Sequence, residues 1–510
     1  MTARAQTLDS LRREIISRNP ATLEEVARFP VATAAEVNSA VERARAAQPA
    51  WAALPIKERA RHILAVQSEL YNRKEEIIRI ISDETGKPPF EALSTEVFMV
   101  CDLMSHFAAN APKILKSEKF SLAVFRNKRS MLLYEPIGCV GVISPWNFPF
   151  SIPVGEIVMA LMAGNSVVFK PSEYTPLVGD AIKRLFNAAG LPDGVLQLVQ
   201  GDGSTGAALV ESSVDKIFFT GSVRTGRRIA ESAAKRLLPV VLELGGKDPM
   251  IVCEDAPFDR TVKGAVWGAF MNCGQVCASV ERLYVMEPIA DRFINAVVEE
   301  VKNLRVGPPS SACSTDIGPL SNEHQLGIVS DHVADAIAKG ARALTGGHRM
   351  TDLEGYFFEP TVLIDVDNTM KVMTDETFGP VLPIKVVYSE EEAVREANKS
   401  RYGLLASVWT SDNERGRTLA RQIDAGTVII NDAIYTHGAA QTPWFGVKES
   451  GLGFTHGAAG LFEFVKMKHI NWDLMLLKSD FWWFPYTTTW YARFKMLMKL
   501  LYKKRFRRIA

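Results

Sequence analysis

Cysteine is scarce and irregularly placed in this sequence: six residues among 510, at 101, 139, 253, 273, 277 and 313, without the spacing of a disulfide framework. A basic-then-apolar leader is missing from the N-terminus, so disulfides are not expected and a reducing cytoplasm is. Only eight histidines are present, and none forms a paired ligand motif with Cys273 and Cys277, so no metal site is expected. Long uncharged runs are also rare. The 20 uncharged residues 136–155 have the length of a bilayer span but include four prolines, which suits a buried strand followed by a rigid loop. No internal repeat or low-complexity tract precedes the C-terminal tail.

What is present is a globular composition, 47% hydrophobic and 23% charged, at a length that exceeds one ordinary core. Two or more domains are therefore expected. The net charge of +1 hides a segregation: residues 476–510 carry nine Lys/Arg against the single acid Asp480, a local +8, leaving −7 for everything before them. A small basic end on a mildly acidic body points to an anionic surface.

From about residue 30 helical and strand-like segments alternate, the mark of an α/β protein with a largely parallel sheet. Thr33-Ala-Ala-Glu36 is a capping box that opens a helix running to about Ala47. Thr175-Pro176 starts another, with Ile182, Leu185, Phe186 and Ala189 at helical spacing before Gly190 stops it. The runs 139–144, 166–169, 195–199, 216–219 and 240–242 read as strands, each ending in glycine, proline or a polar turn. Ligand groups in such sheets lie just beyond the strand ends.

Chemistry concentrates in a few motifs. Glu243-Leu-Gly-Gly-Lys-Asp-Pro249 and Asn272-Cys-Gly-Gln-Val-Cys277-Ala-Ser279 set a carboxylate and a thiol among glycines. A thiolate is the strongest protein nucleophile near neutral pH, and a carboxylate in reach of it or of a water is a general base, so the pair suggests covalent catalysis on a carbonyl. Taken alone, Cys277 would more often be an inert buried thiol. Pro145-Trp-Asn-Phe-Pro149 restricts its backbone from both sides, and the Asn147 amide can donate to an oxyanion, although a structural asparagine reads the same way. Gly201-Asp-Gly-Ser-Thr-Gly206 matches the G-x-G-x-x-G dinucleotide fingerprint, and Phe219-Thr-Gly-Ser-Val-Arg-Thr-Gly226 is a second junction whose helix start can hold a pyrophosphate. Lys170 and Glu173 can hold ribose hydroxyls or form a solvated pair; Glu376-Thr-Phe-Gly-Pro380 and the 443–451 segment suit a ligand wall or plain loop packing.

In combination and order, these motifs resemble the aldehyde dehydrogenase superfamily over roughly residues 18–472. The resemblance implies a doubly wound NAD-binding domain (residues 1–113 and 137–245), a catalytic α/β domain (246–459) and a β oligomerisation arm (114–136 and 460–474). A homodimer or homotetramer follows. It implies Cys277 as nucleophile, Glu243 as base and Asn147 as oxyanion donor, with Trp146, Lys170, Glu173, Gly221, Ser222, Glu376 and Phe378 around the cofactor. In the family the 201–206 loop is not the usual pyrophosphate cradle, so the literal fingerprint misleads. The Glu173 carboxylate favours the free 2′-hydroxyl of NAD and repels the 2′-phosphate of NADP, which remains possible. Gly155 stands where many members have a bulky aromatic in the substrate tunnel, and Phe445 resembles the aromatic wall at its mouth. A wide tunnel and no cation at Val276, Ala278 or Ser279 favour a long or bulky apolar aldehyde. A coenzyme A-acylating enzyme and a catalytically idle scaffold are the alternatives, and retention of Glu243 argues against the first.

Two strand-like runs, 120–125 and 131–134, flank a charged turn and read as a hairpin. Beyond residue 472 the sequence departs from short members of the family. Four of the nine tryptophans (472, 482, 483, 490) fall in 19 residues, and Trp490, Phe494, Leu497, Met498 and Leu501 recur at helical spacing opposite Lys495, Lys499 and Lys503. This reads as an amphipathic membrane-surface tail (475–510) on an otherwise cytoplasmic protein, with a subunit contact as the alternative. Bulky aliphatics outnumber base-reading side chains, so nucleic acid is not expected.

Overall fold

The computed structural model describes residues 13–476 and 478–502; Lys503 and the basic residues after it, expected in the tail, lie outside the described residues, as do residues 1–12 of the first expected segment. Two compact units divide the chain: Met1–Leu115 with Glu135–Lys466, and Lys116–Tyr134 with Met467–Ala510.

In the first unit, α1 (Ala34–Ala53) opens on the expected capping box, with the Thr33 side chain accepting from the Glu36 N–H and the Glu36 carboxylate accepting from the Thr33 N–H. It continues past Ala47 and through Pro49 because Trp51 is buried and its indole donates to the Leu161 carbonyl at 3.0 Å. Tertiary burial thus overrides a local stop. Five parallel strands follow: β1 (Cys139–Ile143), β2 (Ser166–Lys170), β3 (Leu196–Leu198), β4 (Lys216–Thr220) and β5 (Val240–Glu243), in the order β5-β4-β1-β2-β3. Helices α2 (Ser151–Met162), α3 (Pro176–Ala188), α4 (Gly203–Glu211) and α5 (Val223–Ala234) connect them. Because β2 and β4 flank β1, the connections leave β1 in opposite directions and a crevice opens at the carboxyl ends of the strands. An edge strand, Gly451–Leu452, pairs antiparallel with β5 and sets Gly451 opposite Glu243.

The second sheet has seven strands: β6 (Asp248–Val252), β7 (Val280–Met286), β8 (Arg342–Thr345), β9 (Thr361–Ile364), β10 (Val381–Val387), β11 (Leu405–Trp409) and β12 (Thr427–Ile430). Their order is β8-β9-β10-β7-β6-β11-β12, parallel throughout except for β8. Strands β6 and β7 are wholly buried, as in a sheet covered on both faces, although β6 opens with Asp248 and β7 carries Glu281 and Arg282.

Most of a three-stranded sheet falls in the second unit, with Lys128–Pro136 between Glu118–Phe120 and Val465–Asp473; residues 135–136 and 465–466 of its strands belong to the first. The expected hairpin is displaced: pairing runs from Glu118↔Leu132 to Phe120↔Ser130, and residues 121–125 lie in the connection instead of a strand. Tail residues are pinned to this sheet. The Lys128 ammonium is bridged to Asp473 and, at 2.5 Å, to Asp480; Asn127 donates to both acids; and the Phe125 and Trp482 rings meet at 5.2 Å. The tail helix α6 (Thr488–Tyr502) uses part of its expected apolar stripe internally, since Phe481 packs on Trp490 and Phe494. Met498 and Leu501 of that stripe are exposed, as are Trp483, Phe484, Tyr491, Met496 and Leu500 outside it. Among the described residues no helix is long and apolar enough to cross a membrane.

Candidate active site

Glu243 ends β5, opposite Thr220 at the end of β4. The chain must then pass between two other loops, which explains the glycines: a Cβ on Gly245 would lie 2.3 Å from the Glu376 carboxylate, and one on Gly246 would lie 2.4 Å from the Cys277 carbonyl oxygen. Cys277 follows a tight turn in which Asn272, Cys273 and Gly274 all have left-handed φ, at 54°, 56° and 71°. This turn buries Cys273 and carries Cys277 into the wall of the crevice.

The electrostatics separate the two thiols by position more than by basicity. Burial raises the Cys273 thiol well above its ordinary range, with the Glu91 charge adding to it. Cys277 is raised too, by burial and then by the negative charges of Glu243, Asp248 and Glu376, while its thiol hydrogen-bonds Glu243. Burial pushes Glu243 up to about 7, against the hydrogen bonds from the Trp444 indole (3.3 Å to Oε1) and from Cys277. A base with that pKa is balanced between accepting and releasing a proton at neutral pH. Behind it Glu156, on α2, accepts from the Thr220 hydroxyl at 3.3 Å, has no partner for Oε2, and is pushed up to about 8 by burial and by Glu243. It is therefore a neutral acid at pH 7.

Asn147 lies in the turn between β1 and α2, with its Nδ2 donating to the Gln275 carbonyl at 3.0 Å, two residues before the thiol. Its own carbonyl is clamped by Lys87 Nζ at 3.0 Å and Asn272 Nδ2 at 3.1 Å. Lys87 is in turn paired with Glu96 at 2.6 Å, both side chains fully buried, and Glu96 accepts from the N–H groups of Phe150 and Ser151 at the start of α2. Sequence reading missed Lys87 and Glu96. The only cue was Lys87 in a Gly-Lys-Pro-Pro stretch, whose value depends on a partner found by folding.

The crevice, about 1140 Å³, is lined by Trp146, Asn147, Lys170, Glu173, Gly221, Ser222, Glu243, Cys277, Glu376 and Phe378, so these expected positions come together. Lys170 is nearly buried, with Nζ 3.5 Å from Glu173, whose side chain is 41% exposed. Ser222 caps α5 through the Thr225 N–H, and Asp202 caps α4 through the Ser204 N–H; both helix starts border the crevice, including Gly203 and Gly206 of the fingerprint loop. Glu376 accepts from the Gly246 N–H at 3.0 Å, and Phe378 meets Trp146 edge-on at 5.5 Å. The left-handed φ of Phe378, 53°, is held by Glu281, which accepts from the Thr377 and Phe378 N–H groups at 2.8 Å and pairs with buried Lys247. Volume, helix starts and the Lys170/Glu173 pair fit a dinucleotide.

On its other side Cys277 borders a second cavity of about 180 Å³, whose wall includes Met99, Val100, Leu103, Phe148, Ile152, Trp267, Met271, Val276 and Ile434. Neither Gly155 nor Phe445 is among its lining residues. A Cβ on Gly155 would lie 3.3 Å from Leu103 and 3.7 Å from His456, so the space vacated by the absent aromatic is occupied by those two side chains. Phe445 packs on Phe454 at 4.9 Å; the 443–451 segment reaches the site through its neighbour Trp444.

The comparisons agree with this geometry. The Aldehyde dehydrogenase family model matches residues 7–470. The chain is 40% identical over 476 residues to a 4,4'-diapolycopene aldehyde oxidase of Methylomonas sp, covering 93% of this chain and 88% of that protein. It is 37% identical over 478 residues to a putative succinate-semialdehyde dehydrogenase [NADP(+)] 2 of Mycobacterium tuberculosis, covering 91% and 92%. Among solved structures, an aldehyde dehydrogenase of Mycobacterium tuberculosis complexed with NAD+ superposes with a TM-score of 0.87 at 38% identity, covering 92% of this chain and 95% of that one. Lactaldehyde dehydrogenase from Escherichia coli gives a TM-score of 0.87 at 35% identity, covering 90% and 96%. With a thiol and a carboxylate at the carboxyl end of a doubly wound sheet, beside a crevice that fits NAD, the chain belongs to the aldehyde dehydrogenase family of oxidoreductases.

Proposed function

We propose that this enzyme oxidises an apolar aldehyde to its carboxylic acid, with Cys277 as nucleophile, Glu243 as base and NAD as preferred cofactor. The carrying observation is that Cys277 stands between the dinucleotide crevice and a cavity whose lining residues are mostly hydrocarbon and include no lysine or arginine. A carboxylated aldehyde such as succinate semialdehyde would need a cation there. An aldehyde on a hydrocarbon skeleton would not; the Methylomonas relative is named for a 4,4'-diapolycopene aldehyde.

Glu243 is placed to take the thiol proton, and the Cys277 sulfur then bonds to the carbonyl carbon. The Asn147 amide and the Cys277 N–H stabilise the resulting oxyanion. NAD, when held in the crevice by Lys170, Glu173, Ser222 and Glu376, would supply the hydride acceptor that conversion of the thiohemiacetal to a thioester requires. Glu243, having passed the thiol proton on to solvent, next accepts a proton from water, the water oxygen bonds to the acyl carbon, the C–S bond breaks with that proton returning to the thiolate, and the acid leaves. Water is a sufficient acyl acceptor with this base in place, which disfavours both coenzyme A transfer and an idle scaffold. The proposed division of labour keeps residues 1–113 and 137–245 for NAD and 246–459 for catalysis, with 114–136 and 460–474 as the arm of a homodimer or homotetramer.

NADH formation across alkanals of graded length and succinate semialdehyde tests the substrate class. Efficiency that rises with chain length supports the reading, and preference for the carboxylated aldehyde overturns it.

We also infer that the tail binds an anionic membrane surface from the cytoplasmic side. Its described cations, Lys478, Arg493, Lys495 and Lys499, stand among exposed Trp483, Phe484, Tyr486, Tyr491 and Met496, an interfacial composition. Deleting residues 476–510 should abolish co-sedimentation with phosphatidylserine liposomes; a full-length protein that ignores such liposomes overturns the anchor, and if truncation also dissociates an oligomer the tail is a subunit contact.

A further inference from the structure

The turn that leads to the nucleophile is strained, and one of the groups holding it lies outside both cavities. Asn272 and Cys273 stand in the left-handed region at φ 54° and 56°, which persists in non-glycine residues only where neighbours enforce it. At the end nearer the thiol, Gln275 does so: its Oε1 accepts the Ser321 N–H at 2.8 Å and its Nε2 donates to the Asn272 carbonyl at 3.0 Å. At the other end the N–H of buried Asn272 donates to the Glu91 carboxylate, 3.1 Å from Oε1 and 3.2 Å from Oε2.

Glu91 belongs to the helical stretch that also carries Glu96. Between the two the backbone passes through a π turn, Ala92–Val97, where the Phe98 N–H donates to the Leu93 carbonyl five residues back. On an α-helix, residues five apart point about 140° away from each other. A π turn closes on i→i+5 bonds and brings them onto one face, and such turns are found mostly at functional sites. Glu96 accepts from Phe150 and Ser151, just beyond Asn147, while Glu91 accepts from Asn272, just before the Cys277 motif reaches the thiol. One helix face therefore clamps the Asn147 turn and the Cys277 turn together.

We propose that Glu91 is a positioning residue for the nucleophile: by holding the Asn272 N–H it fixes the left-handed turn, and with it the Cys277 thiol and N–H relative to the Asn147 amide. This rests on Cys277 as nucleophile and adds a residue that aims it. Glu91 is not among the lining residues of either cavity, so it acts without touching aldehyde or nucleotide. Keeping the neighbouring Cys273 thiol protonated is a weaker role for the carboxylate, because burial is already the larger cause of that thiol's raised pKa.

Single-turnover NADH formation from an alkanal, with NAD and enzyme both saturating, gives a rate constant independent of the competent fraction, so a partly folded variant still reports. Glu91→Leu removes the acceptor and should lower this rate constant on the order of tenfold to a hundredfold, the upper figure matching a misplacement approaching 1 Å. Glu91→Gln keeps one carbonyl oxygen for the N–H and should stay within about threefold of wild type. Calorimetric NAD affinity should be unchanged in both. A leucine variant that keeps the wild-type rate constant, even with a lowered Tm, makes Glu91 a purely structural residue and overturns the proposal. So does a glutamine variant as slow as the leucine variant, or weakened NAD binding in both, which would mean that the whole crevice had moved. A Cys277→Ala control that still forms NADH would instead overturn the nucleophile assignment beneath it.

Discussion

Replacing Lys87 by methionine removes a cation that lies 2.6 Å from Glu96 where neither side chain is exposed. Glu96 is left with the Phe150 and Ser151 N–H groups, at 2.8 and 3.1 Å, as its remaining described partners. Breaking a buried pair from one side costs about 3–5 kcal/mol, because the other charge stays buried. At the same time the Asn147 carbonyl loses its 3.0 Å donor and keeps Asn272 at 3.1 Å, so the backbone that carries the proposed oxyanion donor keeps one of its two clamps. A displacement approaching 1 Å there costs on the order of 100-fold in rate. The double variant Lys87→Met/Glu96→Leu should recover only part of the stability, since no charge is left unpaired but the Phe150 and Ser151 N–H groups lose their acceptor, and none of the rate, since the carbonyl still lacks its donor. Urea unfolding reads the first quantity and single-turnover NADH formation the second. Because Lys87 acts through Asn147, its rate effect should largely vanish in an Asn147→Ala background. Losses that multiply across the two sites would refute the positioning role.

Cys277→Ala should abolish aldehyde oxidation while calorimetric NAD binding persists, and Cys273→Ala should keep most activity; equal losses in both would remove the single-nucleophile assignment. Glu243 with a pKa raised to about 7 is protonated below that pH and a base above it, so acyl-enzyme hydrolysis should rise through pH 7 to a plateau. Glu243→Gln should flatten that profile while a fast NADH burst survives in stopped flow, and normal steady-state turnover would contradict the role. Glu173→Ser should raise the NADP/NAD efficiency ratio by about tenfold at most, since the carboxylate is part-exposed and screened. An unchanged ratio would place cofactor choice elsewhere.

What the sequence determined by itself is local chemistry. The Thr33–Glu36 capping box involves residues three apart, and the strand ends that carry Asn147, Lys170, Ser222 and Glu243 are marked by short apolar runs closing on glycine, proline or polar residues. Such features need only neighbours along the chain, so the α/β class with a largely parallel sheet was legible from the residues, while the doubly wound domain and the positions around the crevice came with the family resemblance. Tertiary structure decided whatever depends on residues far apart in sequence. Buried Trp51 carried α1 through Pro49 by donating to the Leu161 carbonyl, and the expected 120–125 strand gave way to pairing that begins at Glu118. The Gly155 vacancy, read from sequence as a wider tunnel, is filled by Leu103 and by His456, some 300 residues away. Trp444 rather than Phe445 reaches Glu243, and Lys87 and Glu96 hold the Asn147 turn. Burial raises the pKa of Glu243 and Glu156. Desolvation is a property of the space that surrounds a group in the fold, and no pattern of adjacent residues encodes it.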